Sequence, residues 1–193
     1  MTSRLPKLIA MDLDYTLWDL WIDTHITPPL RSDGKMLNCV RDRYNREIEF
    51  YHDVPDVLHR LREAGVIIAT CSRTHAPDVA RQALSMLLVP PKAGERHSSP
   101  TPAIKYFDQL EIYPGSKVKH FMKLHEKTGL PYSEMLFFDD EHRNSDVESL
   151  GVTFCLAANG LDERTFQHGL DTWRKKHLMK VIEDAADVTE EQS

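Results

Sequence analysis

Long apolar runs are missing from this chain of 193 residues, and no stretch reaches the length needed to span a bilayer. Cysteine is scarce. Cys39, Cys71 and Cys155 are odd in number and far apart, which excludes a disulfide scaffold and a CxxC zinc ribbon and suits a reducing compartment. An excess of basic charge is missing too. Lys plus Arg is 24 against 30 Asp plus Glu, a net charge of −6, which argues against a general nucleic-acid coat, because phosphate binding needs a basic face. No apolar segment follows the charges of Met1–Pro6 before Asp12, so no signal peptide is read. These absences set the expectation of a cytoplasmic chain, with the nucleus as an alternative, that has neither nucleic-acid nor membrane partners. What is present is 41% hydrophobic residues, enough to bury a core.

Those residues are grouped in short runs. Lys7–Met11, Val66–Cys71, Leu110–Tyr113, Met135–Phe138 and Val152–Leu156 read as buried strands. Amphipathic helices fall between them. Asp53 opens one as its cap, with Pro55 and Asp56 in the first turn, apolar Val54, Val57, Leu58 and Leu61 on one face and Gly65 after it. Pro77 starts a second. Ser116–Thr128 is a third, stopped by Gly129 and Pro131; Ser145–Leu150 is short; Asp162 caps a last helix with Phe166, Leu170, Trp173 and His177 on a stripe. Strands alternating with helices mean an α/β fold, a doubly wound, Rossmann-like parallel sheet of five strands, covered on both faces. Residues 1–193 read as a single domain. Leu17–His52 breaks the alternation and reads as a small β-rich insertion after the first strand. The Pro-rich 89–104 segment reads as a mobile loop, and 180–193 as an acidic, frayed tail.

The chemistry is concentrated at strand ends, where open α/β sheets bind ligands. The first strand delivers Asp12 and Asp14, and the fourth delivers Asp139 and Asp140. Four carboxylates converging on one edge cannot all stay ionised unless a cation neutralises them. Oxygen ligands on a rigid edge suit a hard ion that keeps some waters, which is Mg²⁺. An isolated DxD is more often a solvated loop or a cap; its place after an apolar run, matched by a second acidic pair, reverses that. Ser72, Arg73 and Thr74 follow the second strand and precede a helix, either as a phosphate seat or as an ordinary cap. Lys117 stands in a helix first turn, where a cation opposes the macrodipole unless an anion sits there as well.

Taken in order, Asp12-x-Asp14-x-Thr16, Ser72, Lys117 and Asp139-Asp140 resemble the four motifs of the haloacid dehalogenase (HAD) superfamily. The strings Met11–Trp18, Trp21–His25, Cys71–Thr74, Glu111–Lys117 and Phe137–Asn144 resemble, more narrowly, the magnesium-dependent phosphatase-1 family. The resemblance covers about Pro6 to Trp173, and the 89–104 segment departs from it.

It implies a HAD-like fold and a Mg²⁺-dependent phosphatase that works through an aspartyl-phosphate. Asp12 is then the nucleophile and Asp14 the acid and base, with Thr16 tightening the loop that aims Asp14. Mg²⁺ lies on the Asp12 carboxylate, the Asp14 main-chain carbonyl and Asp140. Asp139 stands behind the ligands. The Leu13 backbone N–H, Asp14, Ser72, the Arg73 backbone and Lys117 surround the transferring phosphoryl group. The insertion is the cap-like element, with Trp18, Trp21 and His25 as candidate rim residues; for the two tryptophans, packing onto the sheet is the stronger expectation. The implied substrates and partners are phosphotyrosine proteins or phosphorylated small molecules such as sugar phosphates. The alternatives are a small-cap phosphoserine phosphatase of the polymerase-tail type and a phospho-accepting module without turnover. A cysteine-based tyrosine phosphatase is excluded, because the residues six beyond Cys39, Cys71 and Cys155 are Asn45, Pro77 and Leu161 and none is Arg.

Overall fold

Leu8–Met11 (β1) is apolar and fully buried. Alternate residues of a strand face opposite sides of the sheet. Ile9 and Met11 therefore join the larger apolar core on one face, and Leu8 and Ala10 join the smaller one on the other. The computed structural model describes residues 4–92, 94 and 99–190, with side chains of the last helix as far as Met179.

The chain leaves β1 through Ile22–His25 (α1) and three two-residue strands, Arg31–Ser32 (β2), Val40–Arg41 (β3) and Glu47–Ile48 (β4). It continues through Val54–Glu63 (α2), Ile67–Ser72 (β5), Pro77–Met86 (α3), Leu88–Val89 (β6), Thr101–Pro102 (β7), Gln109–Ile112 (β8), Lys117–Thr128 (α4), Met135–Asp139 (β9), Thr153–Leu156 (β10) and Glu163–Glu190 (α5). Five parallel strands form the main sheet in the order β10-β9-β1-β5-β8. This is the expected doubly wound α/β architecture. The chain builds outward from β1 through β5 to β8, then returns to β9 on the other side. The order thus reverses between β1 and β9, and the carboxyl ends of those two strands frame the crevice where such sheets bind ligands.

Helix sides follow from the same alternation. Val54, Val57, Leu58 and Leu61 of α2, Ala80, Ala83 and Leu84 of α3, and Phe166, Leu170 and Trp173 of α5 share the core with Ile9, Met11, Ile68 and Phe138. Phe121 and Leu124 of α4 pack with Ala10, Cys71 and Phe137 on the opposite face. Gly129 ends α4 at φ 68°, as expected, and Ser116 caps its start, its Oγ accepting from Lys119 N at 3.3 Å. Asp53 stands at the start of α2 without capping it; its Oδ2 accepts from Glu163 N at 2.9 Å and so serves the first turn of α5.

The insertion is β-rich, as expected. Strands β2, β3 and β4 form a small antiparallel sheet. Asp42, almost wholly buried, holds its turn by accepting from Thr27 N at 2.9 Å and from Tyr44 N and Arg46 N at 2.8 Å. Leu20, Ile22, Ile26, Leu30, Val40, Ile48 and Phe50 join the main core, so the insertion packs as part of the domain's larger core.

Three segments carry regular structure of their own. The 89–104 segment is bounded by a hairpin: β6 pairs antiparallel with β7, and a 3₁₀ turn follows over Ala103–Tyr106. Buried Val89 and Ala103 anchor it, each an apolar residue among prolines; residues 93 and 95–98 of the expected mobile loop lie outside the described residues. The tail from Lys180 continues α5 to Glu190; its side chains, and residues 191–193, lie outside the described residues. Ser145–Leu150 is helical but belongs to a longer 3₁₀ segment, His142–Leu150.

Candidate active site

Beyond Met11 the chain makes a tight turn. Asp12 N donates to Phe138 O at 2.9 Å, which ties the end of β1 to β9. The Leu13 carbonyl accepts from Thr16 N, Leu17 N and Trp18 N at 3.2, 2.8 and 3.3 Å. Tyr15 takes φ 54° to complete the turn. The expected role of Thr16 falls to its backbone, because its buried hydroxyl has no hydrogen-bond partner. Leu13 is buried between the two aspartates.

The turn places Asp12, Asp14, Ser72, Arg73, Lys117 and Asp140 around one cleft of ≈310 Å³, with Trp21, Asp23, Thr24, Arg143 and Asn144 completing its walls. Carboxylate oxygens of Asp12, Asp139 and Asp140 lie within 4.8 Å of one another. Asp139 is fully buried behind the cleft. Its Oδ1 accepts from Glu141 N at 2.8 Å and Asn144 Nδ2 at 2.9 Å, and its Oδ2 pairs with Lys117 Nζ at 2.8 Å.

Lys117 is the central cation. It is 2% exposed, pairs with Asp12 Oδ1 at 2.6 Å and donates to the Cys71 carbonyl. The anions that answer this first-turn lysine are the protein's own, since Asp12 and Asp139 both pair with its ammonium. Burial alone would lower the Lys117 ammonium, but these two carboxylates outweigh it and hold it above its ordinary value.

The carboxyls are pushed the other way. Burial, against the attraction of Lys117, raises Asp12 to about 8, with Asp139 adding to the rise. Burial raises Asp14 to about 6, although hydrogen bonds to its charged form oppose the shift: Oδ1 accepts from Trp18 Nε1 at 2.7 Å and Ile22 N at 3.2 Å. Asp140 also rises to about 6, through burial and then its neighbours Asp139 and Glu141.

Ser72 Oγ accepts from Thr74 N at 3.3 Å, and Thr74 Oγ1 accepts from Ala76 N at 3.2 Å. These side chains cap the turn ahead of α3, which starts only at Pro77. The helix terminus itself is thus displaced from Ser72, while both the hydroxyl and Arg73 still line the cleft. Of the three candidate rim residues only Trp21 lines it, 49% exposed. Trp18 is fully buried against Phe50 with ring centroids 6.2 Å apart, and His25 Nδ1 accepts from Trp21 N at 3.1 Å.

Asn144 was not singled out by its residue type. It bridges the two halves of the site, donating to Asp139 and accepting from Arg73 Nη1 at 3.3 Å. Its available signal was its place at the end of the Phe137–Asn144 string. Asp23 was missed as well; its Oδ2 accepts from His75 N at 3.1 Å and ties α1 to the loop after β5.

A family model described as acid phosphatase matches residues 4–176. The chain belongs to the acid phosphatase family. Magnesium-dependent phosphatase 1 of Homo sapiens is a similar protein, 45% identical over 176 residues that cover 90% of each chain. A HAD-like hydrolase superfamily protein of Schizosaccharomyces pombe is 46% identical over 151 residues, 78% of this chain and 85% of the relative. Among solved structures, a HAD family enzyme of Bacteroides thetaiotaomicron, crystallised as a magnesium complex, superposes with a TM-score of 0.52 at 17% identity, covering 79% of this chain and 93% of that one. A HAD-superfamily hydrolase of Ehrlichia chaffeensis gives 0.52 at 12% identity, covering 80% and 89%. These structural likenesses establish the HAD-like fold.

In this acid phosphatase family member the donors suit a hard divalent cation. Asp12 and Asp139 share the ammonium of Lys117, and Asp140 lies in the same carboxylate cluster. Burial is the first cause of the upward shifts of Asp12, Asp14 and Asp140, and neighbouring carboxyls add to each. The converging side-chain ligands are carboxylate oxygens, without imidazole or thiolate, and such a set favours magnesium over zinc.

Proposed function

We propose that this chain is a magnesium-dependent phosphatase that hydrolyses phosphate monoesters through an aspartyl-phosphate on Asp12, with phosphotyrosine and sugar phosphates as its substrate classes. The observation that carries the reading is the division of labour on one turn. Asp12 is paired with a buried ammonium 2.6 Å away and clusters with Asp139 and Asp140, whereas Asp14, two residues on, stands outside that cluster and takes its hydrogen bonds from Trp18 Nε1 and Ile22 N. Neighbouring carboxyls in contrasting environments are suited to contrasting roles.

Asp12 attacks phosphorus in line, and the ester P–O bond breaks with its electron pair on the leaving oxygen. Asp14 supplies that oxygen with a proton. Water then attacks the aspartyl-phosphate, Asp14 takes the water's proton, and phosphate leaves with Asp12 regenerated. Ser72, Arg73, the Leu13 N–H and Lys117 hold the phosphoryl oxygens. Lys117 already engages Asp12, Asp139 and the Cys71 carbonyl, so it serves phosphate by exchanging its Asp12 partner. Asp12, Asp140 and the Asp14 main-chain carbonyl would hold magnesium, which when bound neutralises charge on the transferring group.

The small insertion leaves the cleft open enough for a phosphate on a bulky carrier, and half-exposed Trp21 offers an aromatic wall to an aryl group. The partners in this reading are phosphorylated small molecules or phosphotyrosine proteins, not nucleic acids or membranes. Residence in the cytoplasm or nucleus is supported by three buried free thiols, and no helix among the described residues is long and apolar enough to cross a membrane.

The test is phosphate release from phosphotyrosine peptide, phosphoserine peptide and sugar phosphates, with and without Mg²⁺, by the wild type and by Asp12→Asn. Mg²⁺-dependent release by the wild type, abolished in a folded Asp12→Asn protein, is expected. Wild-type turnover by that variant would exclude the covalent route.

A further inference from the structure

Burying an indole usually requires an acceptor for its N–H. Trp18 is fully buried, and its Nε1 donates to a carboxylate oxygen of the site, Asp14 Oδ1 at 2.7 Å. The ring needs no such partner to pack, since its stacking on Phe50, 13° from parallel, would serve a plain aromatic equally well. A second donor converges on the same oxygen: Ile22 N, the first residue of α1, lies 3.2 Å from Oδ1. Both donors belong to the insertion rather than to the sheet.

Two N–H groups aimed at one carboxyl oxygen decide where a proton can sit. A proton on Oδ1 would face both donors, so the neutral acid carries it on Oδ2. We propose that Trp18 is a positioning residue for proton transfer: its indole N–H, with the Ile22 amide, keeps Oδ1 an acceptor and makes Oδ2 the oxygen that gives its proton to the leaving alcohol and takes one from water. The insertion thereby aims the acid as well as bordering the cleft. This inference rests on the reading of Asp14 as the proton-transfer group.

The experiment is a leaving-group series from alkyl phosphates to aryl phosphates of low leaving-group pKa, at saturating Mg²⁺. It compares the wild type, Trp18→Phe and Asp14→Asn. Good leaving groups need little protonation. Trp18→Phe should therefore lose about 10–100-fold in kcat/KM on alkyl phosphates, the scale of a misaimed catalytic group. It should keep kcat/KM on the best aryl phosphates, and the series is read in kcat/KM throughout, because kcat on good leaving groups reports the water step that all substrates share. Asp14→Asn should show the same trend more steeply. Should Trp18→Phe fold poorly, the benzothiophene isostere of tryptophan at position 18, which removes only the N–H, takes its place. A second arm uses metal-free protein, in which the Trp18 indole N–H resonance should move when Asp14 is replaced by Ala.

An equal loss across the series in Trp18→Phe, or no loss, overturns the positioning role, as does an indole resonance indifferent to Asp14→Ala. A flat series in Asp14→Asn overturns the acid role itself. A steep series in Asp14→Asn beside a flat one in the Trp18 variant leaves the proposed reaction standing and removes only this inference.

Discussion

Replacing Lys117 with methionine keeps the length of the side chain and deletes its charge. In the folded protein that charge sits between Asp12 and Asp139, 2.6 and 2.8 Å away, with only 2% of the residue exposed. The variant would leave two carboxyls within 4.8 Å of each other and without their cation. Breaking a buried ion pair from one side costs about 3–5 kcal/mol, because the remaining charge is uncompensated. Protonation of Asp12, which burial already favours, holds the loss toward the lower end. For a domain of this size, each kcal/mol moves the melting temperature by roughly 2–4 °C, so the expected fall is about 6–20 °C. The helix dipole acts in the opposite sense, since a first-turn cation is unfavourable by only about 0.3–1 kcal/mol, too little to offset the pair. The assay is thermal and urea unfolding of metal-free protein at neutral pH, on Lys117→Met, Asp139→Asn and the double variant. The double variant should recover part of the loss, with a coupling of about 0.5–3 kcal/mol. A Lys117→Met protein that melts as the wild type does, or higher, refutes the argument and returns Lys117 to a purely phosphate-facing role.

Gly169→Ala adds a better helix former to α5, worth about 1 kcal/mol, yet its Cβ would meet Phe138 Cε1 and Cζ at 2.5 Å. Overpacking of about 1–3 kcal/mol should prevail, and a raised melting temperature would show that the helix simply shifts. His120 should make stability pH-dependent. Its ring is buried, and burial first, then Lys117, pushes it down from 6.5 to about 4. Between those values the unfolded chain binds a proton that the folded one refuses. Stability should rise with pH across that window by up to about 3 kcal/mol, and be lost as pH falls through it. Its Nε2 lies 3.0 Å from the Tyr113 carbonyl, so that nitrogen carries the hydrogen; an imidazole that titrates near 6.5 by NMR in the folded protein would remove the effect.

The five-stranded sheet was legible because each strand is a short apolar run that stops at a polar residue. Residues at the carboxyl ends of parallel strands come to one edge, so the convergence of Asp12, Asp14, Ser72 and Asp140 follows from chain order and strand direction. The paired strands flanking 93–98 were not legible. They hold two residues each, and Pro102 lies within one of them; a propensity reading treats such a stretch as loop, and only the burial of Val89 and Ala103 against the core overrides it.

Sequence by itself determined the fold class, the strand ends and the residue types that meet there, because hydrophobic period and chain direction are local properties. Tertiary structure alone decided which charge answers which. Lys117 lies 105 residues from Asp12, and nothing near it in the chain says that its anion is internal. Arg73 and Asn144 are 71 residues apart, and Asp23 reaches His75 across 52. The two tryptophans of the insertion read alike in sequence, yet Trp18 turns inward to Asp14 and Trp21 remains half exposed at the cleft. Trp18 stacks on Phe50, and that surface exists only once the insertion has folded back onto the sheet.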